Sequence, residues 1–142
     1  MFRHLALFVF ACIPLSLQAA VLDIQLNDIK NSNGTVTLSL FDNASAFEQQ
    51  VFPDAESSIV QKSKSGTMKF RFSNLRPGRY ALMVHHDENK DGVLNMQGAN
   101  PREGYAFSKG AGRKNIPNFS QASIEIKEGS NSESLSMIYL AK

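Results

Sequence analysis

Apolar residues recur at every second position along most of this chain, and nowhere do they recur at the three-to-four spacing of a long helix. Leu22, Ile24 and Leu26 share one face of the first segment, Val36, Leu38 and Leu40 one face of the next, and Met68, Phe70 and Phe72 one face of a later one. Side chains alternate across a strand, so each segment buries one face and wets the other. A chain patterned in this way has to build sheets over a shared core.

The alternation predicts seven short strands: Val21–Asp28, Thr35–Phe41, Ser58–Lys64, Thr67–Phe72, Arg79–His85, Ser123–Ile126 and Leu135–Leu140. Asn31-Ser32-Asn33-Gly34 is a turn cluster of the hairpin kind, which predicts that the first two strands pair antiparallel. Asp42 to Asp54, with Phe47, Val51, Phe52 and Pro53, breaks the pattern and predicts a short helical turn capping one end of the core. The expected fold class is all-β: a single antiparallel seven-stranded β-sandwich with a long ordered loop after the fifth strand. The loop falls between Asp87 and Gln121, and loops of that length generally carry function or a bound ion.

Residues 1 to 19 read as a secretory leader: Arg3 and His4 at the start, an apolar run from Leu5 to Leu15, and small residues for cleavage near Ala19/Ala20. The expectation is a periplasmic or secreted domain from 20 to 142, without a transmembrane segment. The single cysteine, Cys12, lies in the leader, so the mature domain has neither disulfide nor thiol chemistry. About 120 residues suit one domain that buries roughly two-thirds of its unfolded surface. Losing the leader removes one of the 15 basic residues and none of the 13 acidic ones, leaving +1. That balance gives no reason to expect nucleic acid, and the domain is expected to be a monomer.

The chemistry concentrates in His86-Asp87-Glu88-Asn89-Lys90-Asp91-Gly92. Hard cations such as Ca²⁺ take six to eight oxygens, and alternate residues of a tight loop can point theirs inward. Asp87, Asn89 and Asp91 match the first, third and fifth positions of a calcium loop, Gly92 the sixth, Val93 offers a carbonyl at the seventh, and Asn95 stands at the ninth. The twelfth position, where a bidentate Glu belongs, is Gly98, so the set is completed only if Glu103 folds back. The same residue types also build metal-free surface turns.

His85 and His86 point to opposite faces of any strand that holds them. His86 follows the register of Tyr80, Leu82 and Val84, which predicts a partly buried histidine bonded to the loop and steadying Asp87. Tyr105, Phe107 and Phe119 form either a layer covering the end of the sandwich or an aromatic face for a glycan or peptide. Lys109-Gly110-Ala111-Gly112-Arg113-Lys114 lacks the spacing of a phosphate loop and reads as a solvated tip. Through Lys109, Arg113 and Lys114 such a tip can meet an anionic partner. No catalytic nucleophile stands out.

The runs Asn74 to Ala81, His86 to Gly92 and Glu103-Gly104-Tyr105-Ala106-Phe107-Ser108 together resemble the bacterial domain of unknown function 2141 family. Gly34 to Phe41 resembles its early strand, and Pro117-Asn118-Phe119 with Ala122 its Pro-x-Phe-x-x-Ala segment. The resemblance implies an exported β-sandwich and leaves the role open. Where members commonly carry Asp and then Asn after the glycine turn, this chain has Asn95 and Gln97, and each lost charge weakens a calcium loop. The turn Leu75 to Tyr80 is also similar to that of prealbumin-like and collagen-adhesin B-type modules, which bind or space. The leading expectation is therefore a non-catalytic binding or accessory module for a protein or glycan, whose loop from Asp87 to Glu103 is ordered either by Ca²⁺ or by its own polar contacts. The rivals are a small metal-dependent hydrolase using the same acids and an envelope assembly component acting through an edge strand.

Overall fold

The computed structural model describes residues 18–50, 52–112 and 115–140, so the expected leader up to Leu17 lies outside the described residues. Ten strands run through them: β1 (Ala20–Ile29), β2 (Thr35–Phe41), β3 (Ser57–Lys62), β4 (Gly66–Leu75), β5 (Gly78–Asp87), β6 (Met96–Gln97), β7 (Asn100–Pro101), β8 (Gly104–Phe107), β9 (Ile124–Ile126) and β10 (Gly129–Ser136). Two short helices, α1 (Ala44–Glu48) and α2 (Phe119–Ala122), and two 3₁₀ turns complete them. The chain is mostly β, as the alternation predicts. Among the described residues, no helix is long and apolar enough to cross a membrane.

One sheet has the order β10-β1-β4 and the other β3-β2-β5-β8, with β9 also on β5 and β6-β7 forming a small ribbon; none closes. The pairs are antiparallel except β1 with β10, which run parallel. The predicted β1–β2 hairpin does not form. Both edges of β1 are taken by β4 and β10, while β2 lies between β3 and β5. Alternation names the face a residue occupies and not the strand beside it. The turn cluster instead carries the chain from one sheet to the other, and its glycine serves a close approach. A Cβ on Gly34, at φ +66°, would fall 1.8 Å from the Asp87 carbonyl oxygen.

The final strand also differs from expectation, covering Gly129–Ser136 rather than Leu135–Leu140. Its ladder to β1 needs only backbone groups, and of its side chains Leu135 alone is buried, so alternation is nearly silent there. Three further strands, β6, β7 and β8, are too short to show a period, having two, two and four residues.

Apolar residues of both sheets share one buried cluster, among them Leu22, Ile24 and Leu26 of β1, Phe70 of β4, Leu38 of β2 and Leu82 and Val84 of β5. A second cluster lies on the opposite face of β2, β5 and β8, where Phe41, Ala81, Met83, Tyr105 and Phe107 meet Phe47 of α1 and Ala122 of α2. From Tyr80 to Asp87, β5 is therefore buried on both faces. Each helix starts where a side chain supplies a cap: Asn43 accepts from the Ala46 amide at 2.8 Å, and Asn118 with Gln121 makes a reciprocal capping box. The predicted helical turn in 42 to 54 is α1 followed by the 3₁₀ turn Phe52–Asp54.

β5 changes partner partway along, pairing with β9 over Gly78–Tyr80 and with β8 over Met83–His86. At the gap, buried Ser108 accepts from the Leu82 amide at 2.9 Å and donates to the Ala122 carbonyl at 2.5 Å. At the start of β5 the Tyr80 hydroxyl donates to the Arg76 carbonyl at 2.8 Å, which pins the turn entering the strand.

Candidate metal centre

The outer face of β5 changes character along its length. Ala81 and Met83 sit under the apolar cover, and the next residues on that face are His85 and Asp87. Their neighbours across β2 are Thr37 and Thr35, and Tyr105 of β8 lies beside His85. The long loop leaves from this polar end and returns at Glu103.

Glu103 does fold back. It is buried, and its Oε2 lies 2.9 Å from His85 Nε2 and accepts from the Asn95 amide at 3.2 Å. Its Oε1 accepts from the Glu88 amide at 3.1 Å. Asp87, also buried, accepts from the amides of Asp91 at 3.2 Å and Gly92 at 2.8 Å. Ligand atoms of His85, Asp87 and Glu103 all lie within 4.8 Å of one another. The described residues contain the ion pairs Arg71–Asp23 and His85–Glu103, so neither buried acid has a lysine or arginine partner. Directed N–H groups and one imidazole hold them, as buried carboxylates require.

A second knot lies on the exposed side of the loop. Asn89 Oδ1 accepts from the Asp91 amide at 3.0 Å, and Asp91 Oδ1 from the Val93 amide at 2.9 Å. Asp91 Oδ2 accepts from the side-chain amides of Asn89 and Asn95, each at 2.9 Å. Asn89 also donates to Asn95 Oδ1 at 2.9 Å. Asn89 Oδ1 and Asp91 Oδ1 thus tie the backbone of the turn, while Asp91 Oδ2 and the two side-chain amides tie Asn89, Asp91 and Asn95 to one another. The Asn95 hydrogen bond, then those from Val93 and Asn89, hold the Asp91 carboxyl below the usual aspartate value. Val93 contributes its N–H, and its side chain is exposed.

The base of the loop is braced by the segment joining β1 to β2. Asn31 donates to Glu88 Oε2 at 3.0 Å, and Gly34 packs on the Asp87 carbonyl. His86 belongs to this brace and not to the acids. It is fully buried on the inner face, with Nε2 2.8 Å from the Asn33 carbonyl oxygen and Nδ1 2.7 Å from the Tyr139 hydroxyl. The expectation that it steadies Asp87 is corrected by the pleat, which turns the two side chains to opposite faces. The residue that reaches the acids is His85. Its signal was present in the sequence, because His85 and Asp87 are two apart on one strand and share a face.

Among the predicted surface residues, Tyr105 and Phe107 are buried rather than displayed. Edge-to-face contacts join Tyr105 to Phe107 at 5.9 Å, Phe107 to Phe47 at 5.8 Å and Phe47 to Phe119 at 6.0 Å. They form the covering layer, and a flat aromatic face for a glycan is not what they present. Lys109, in a left-handed conformation at φ 61°, has an exposed side chain, and its amide donates to Glu133 at 2.9 Å. Arg113 and Lys114 lie outside the described residues.

The model of a family described as uncharacterized protein conserved in bacteria (DUF2141) matches residues 24–134. The chain belongs to the DUF2141 family. No curated protein and no solved structure matches it. The matched span runs from β1 to β10 and contains His85, the whole acidic loop and Glu103, so the candidate centre is part of the DUF2141 domain.

Proposed function

We propose that this DUF2141 protein is an exported, non-catalytic binding or accessory module for a protein or glycan, whose loop from Asp87 to Glu103 is ordered by Ca²⁺. The observation that carries the reading is the return of Glu103 to the loop. Its carboxylate takes the amides of Glu88 and Asn95, near the two ends of the acidic run, and draws the loop closed. Asp87, Asn89, Asp91 and Asn95 then supply oxygens around that loop, and the Val93 carbonyl adds another.

The proposed architecture is a two-layer sandwich of the prealbumin or immunoglobulin kind. Two features support it: the buried cluster drawn from both sheets, and the Tyr80 hydroxyl bonded to a carbonyl a few residues upstream, a device of such sandwiches. Export is proposed from the leader.

Two experiments test these claims. Thermal unfolding in EDTA and then in Ca²⁺ is expected to give a midpoint several degrees higher with Ca²⁺, because an ion that binds only the folded state stabilises it by mass action. Asp91→Ala removes the rise. An equal midpoint with and without Ca²⁺ sinks the cation reading. Mass spectrometry of protein recovered from outside the cytoplasm is expected to show a chain starting near Ala19 or Ala20.

A further inference from the structure

We propose that His85, Asp87 and Glu103 form a second cation position, distinct from the oxygen-lined loop, which takes a borderline divalent ion such as Zn²⁺ or Co²⁺. The donor set decides the ion. Calcium takes oxygens alone, whereas an imidazole with two carboxylates suits Zn²⁺, Co²⁺ or Fe²⁺. Ligands of a tetrahedral zinc stand about 3.4 Å apart when each is about 2.1 Å from the ion. The three ligand atoms here lie within 4.8 Å of one another, and His85 Nε2 is 2.9 Å from Glu103 Oε2. Closure on an ion asks for side-chain adjustments on the order of 1 Å, with the ion taking the place of the direct contact between His85 and Glu103.

The ligands are already oriented. Asp87 is held by the amides of Asp91 and Gly92, and Glu103 by those of Glu88 and Asn95. A carboxylate oxygen has two lone pairs, so an N–H that takes one leaves the other for a metal. Hydrogen bonds of this outer kind fix ligand direction in metal sites. His85 projects from β5, paired on both sides at that residue with β2 and β8.

The site also has a door. A surface depression of about 310 Å³, lined by Thr37, Ser39, Ser58, His85, Asp87 and Gly92 among others, opens beside it. Three protein ligands with an open fourth position are the arrangement in which zinc accepts an exogenous ligand, in contrast to a closed structural site. Asp87 and Glu103 are common to this position and to the calcium reading, whereas His85 belongs to this position alone, so the proposal stands whether or not the loop takes Ca²⁺.

The test uses untagged protein, since a histidine tag would add ligands. Titration with Co²⁺ is expected to saturate at one equivalent with visible ligand-field bands, and Zn²⁺ to displace it. His85→Ala is expected to weaken Co²⁺ by more than the roughly 10–100-fold that losing an outer hydrogen bond costs. Asn89→Ala leaves Co²⁺ binding intact and abolishes any Ca²⁺ response, so the two cation readings fail separately. Imidazole NMR signals of the unmodified protein give a readout free of folding defects: on adding Zn²⁺ the His85 ring is expected to shift while His86 stays. No uptake of either ion, wild-type affinity in His85→Ala, or a shift confined to His86 would overturn the proposal.

Discussion

His85 Nε2 and Glu103 Oε2 meet at 2.9 Å and join a central strand to the far end of a loop that leaves the same strand two residues later. The contact fixes the loop's return, and Glu103 fixes its start through the Glu88 amide. Glu103→Gln keeps the shape but places an amide N–H2 where only an acceptor fits. The expected loss is about 1–3 kcal/mol, the cost of leaving buried donors poorly matched. Urea unfolding measures it, and hydrogen exchange should quicken at the Glu88 and Asn95 amides while core amides keep their protection. Unchanged exchange at those two amides would mean that Glu103 does not close the loop.

Two left-handed glycines separate a close approach from a mere turn. Gly92, at φ +75°, has open space where a Cβ would go, so Gly92→Ala meets only the conformational penalty of about 1–2 kcal/mol. Gly34→Ala adds a collision, because its Cβ would lie 1.8 Å from the Asp87 carbonyl oxygen and 2.8 Å from Glu88 Cα. Its expected cost exceeds about 4 kcal/mol, in the range reserved for strong disruption. Comparing the two midpoints by thermal unfolding checks this. Equal losses would place the importance of Gly34 in its dihedral alone.

These residues also mark what was legible in the sequence. Leu22, Ile24, Leu26 and their counterparts in β2 and β4 announced their buried faces, since period two is a local property. Partnership is not local, so Asn31 to Gly34 read as a hairpin when it is a passage between sheets. The polar loop from Asp87 to Asn95 was legible because its alternating acids and amides are written in neighbouring residues. Glu103 was legible only as a condition, and His85 was passed over for His86, although counting faces along β5 assigns His85 to the acids. Ser108 closes the run from Glu103 that resembles the family, but nothing in that run announced its task. Its task is created by the change of strand partner on β5, which no local pattern encodes.

Burial pushes the Tyr139 phenol above its usual value of about 10, with the Lys30 amide acting against this and Glu88 adding to it. The folded state therefore holds the phenolic proton more tightly than the unfolded chain. That stability is complete below about pH 10 and is lost as pH rises through the higher folded value. Burial raises Tyr80 and Tyr105 as well. Tyr139→Phe is expected to be less stable near neutrality, because His86 and the Lys30 amide lose the hydroxyl they contact at 2.7 and 3.1 Å. Its alkaline limb should be shallower, with the remainder due to the other two tyrosines. Denaturant midpoints from about pH 8 to about pH 11 check the slope, and parallel curves for the two proteins would exclude Tyr139 as a contributor.

Ser108 is the residue on which the continuity of β5 rests. Leu82 is fully buried and lies between the segment paired with β9 and the segment paired with β8, so its amide has no strand to bond on that side. The Ser108 hydroxyl accepts from it at 2.9 Å and donates to the Ala122 carbonyl at 2.5 Å. Ser108→Ala removes both partners at once in a site without exposure. Each buried group left unpaired costs about 1–3 kcal/mol, so the expected loss is about 2–6 kcal/mol, large for one oxygen atom. Ser39→Ala is the control, because its hydroxyl bonds at 2.9 Å to Ser58 on an exposed edge strand and water can replace it. The decisive readout is the Leu82 amide, which should lose protection in Ser108→Ala and keep it in Ser39→Ala. If its protection survives the loss of Ser108, another group completes the strand.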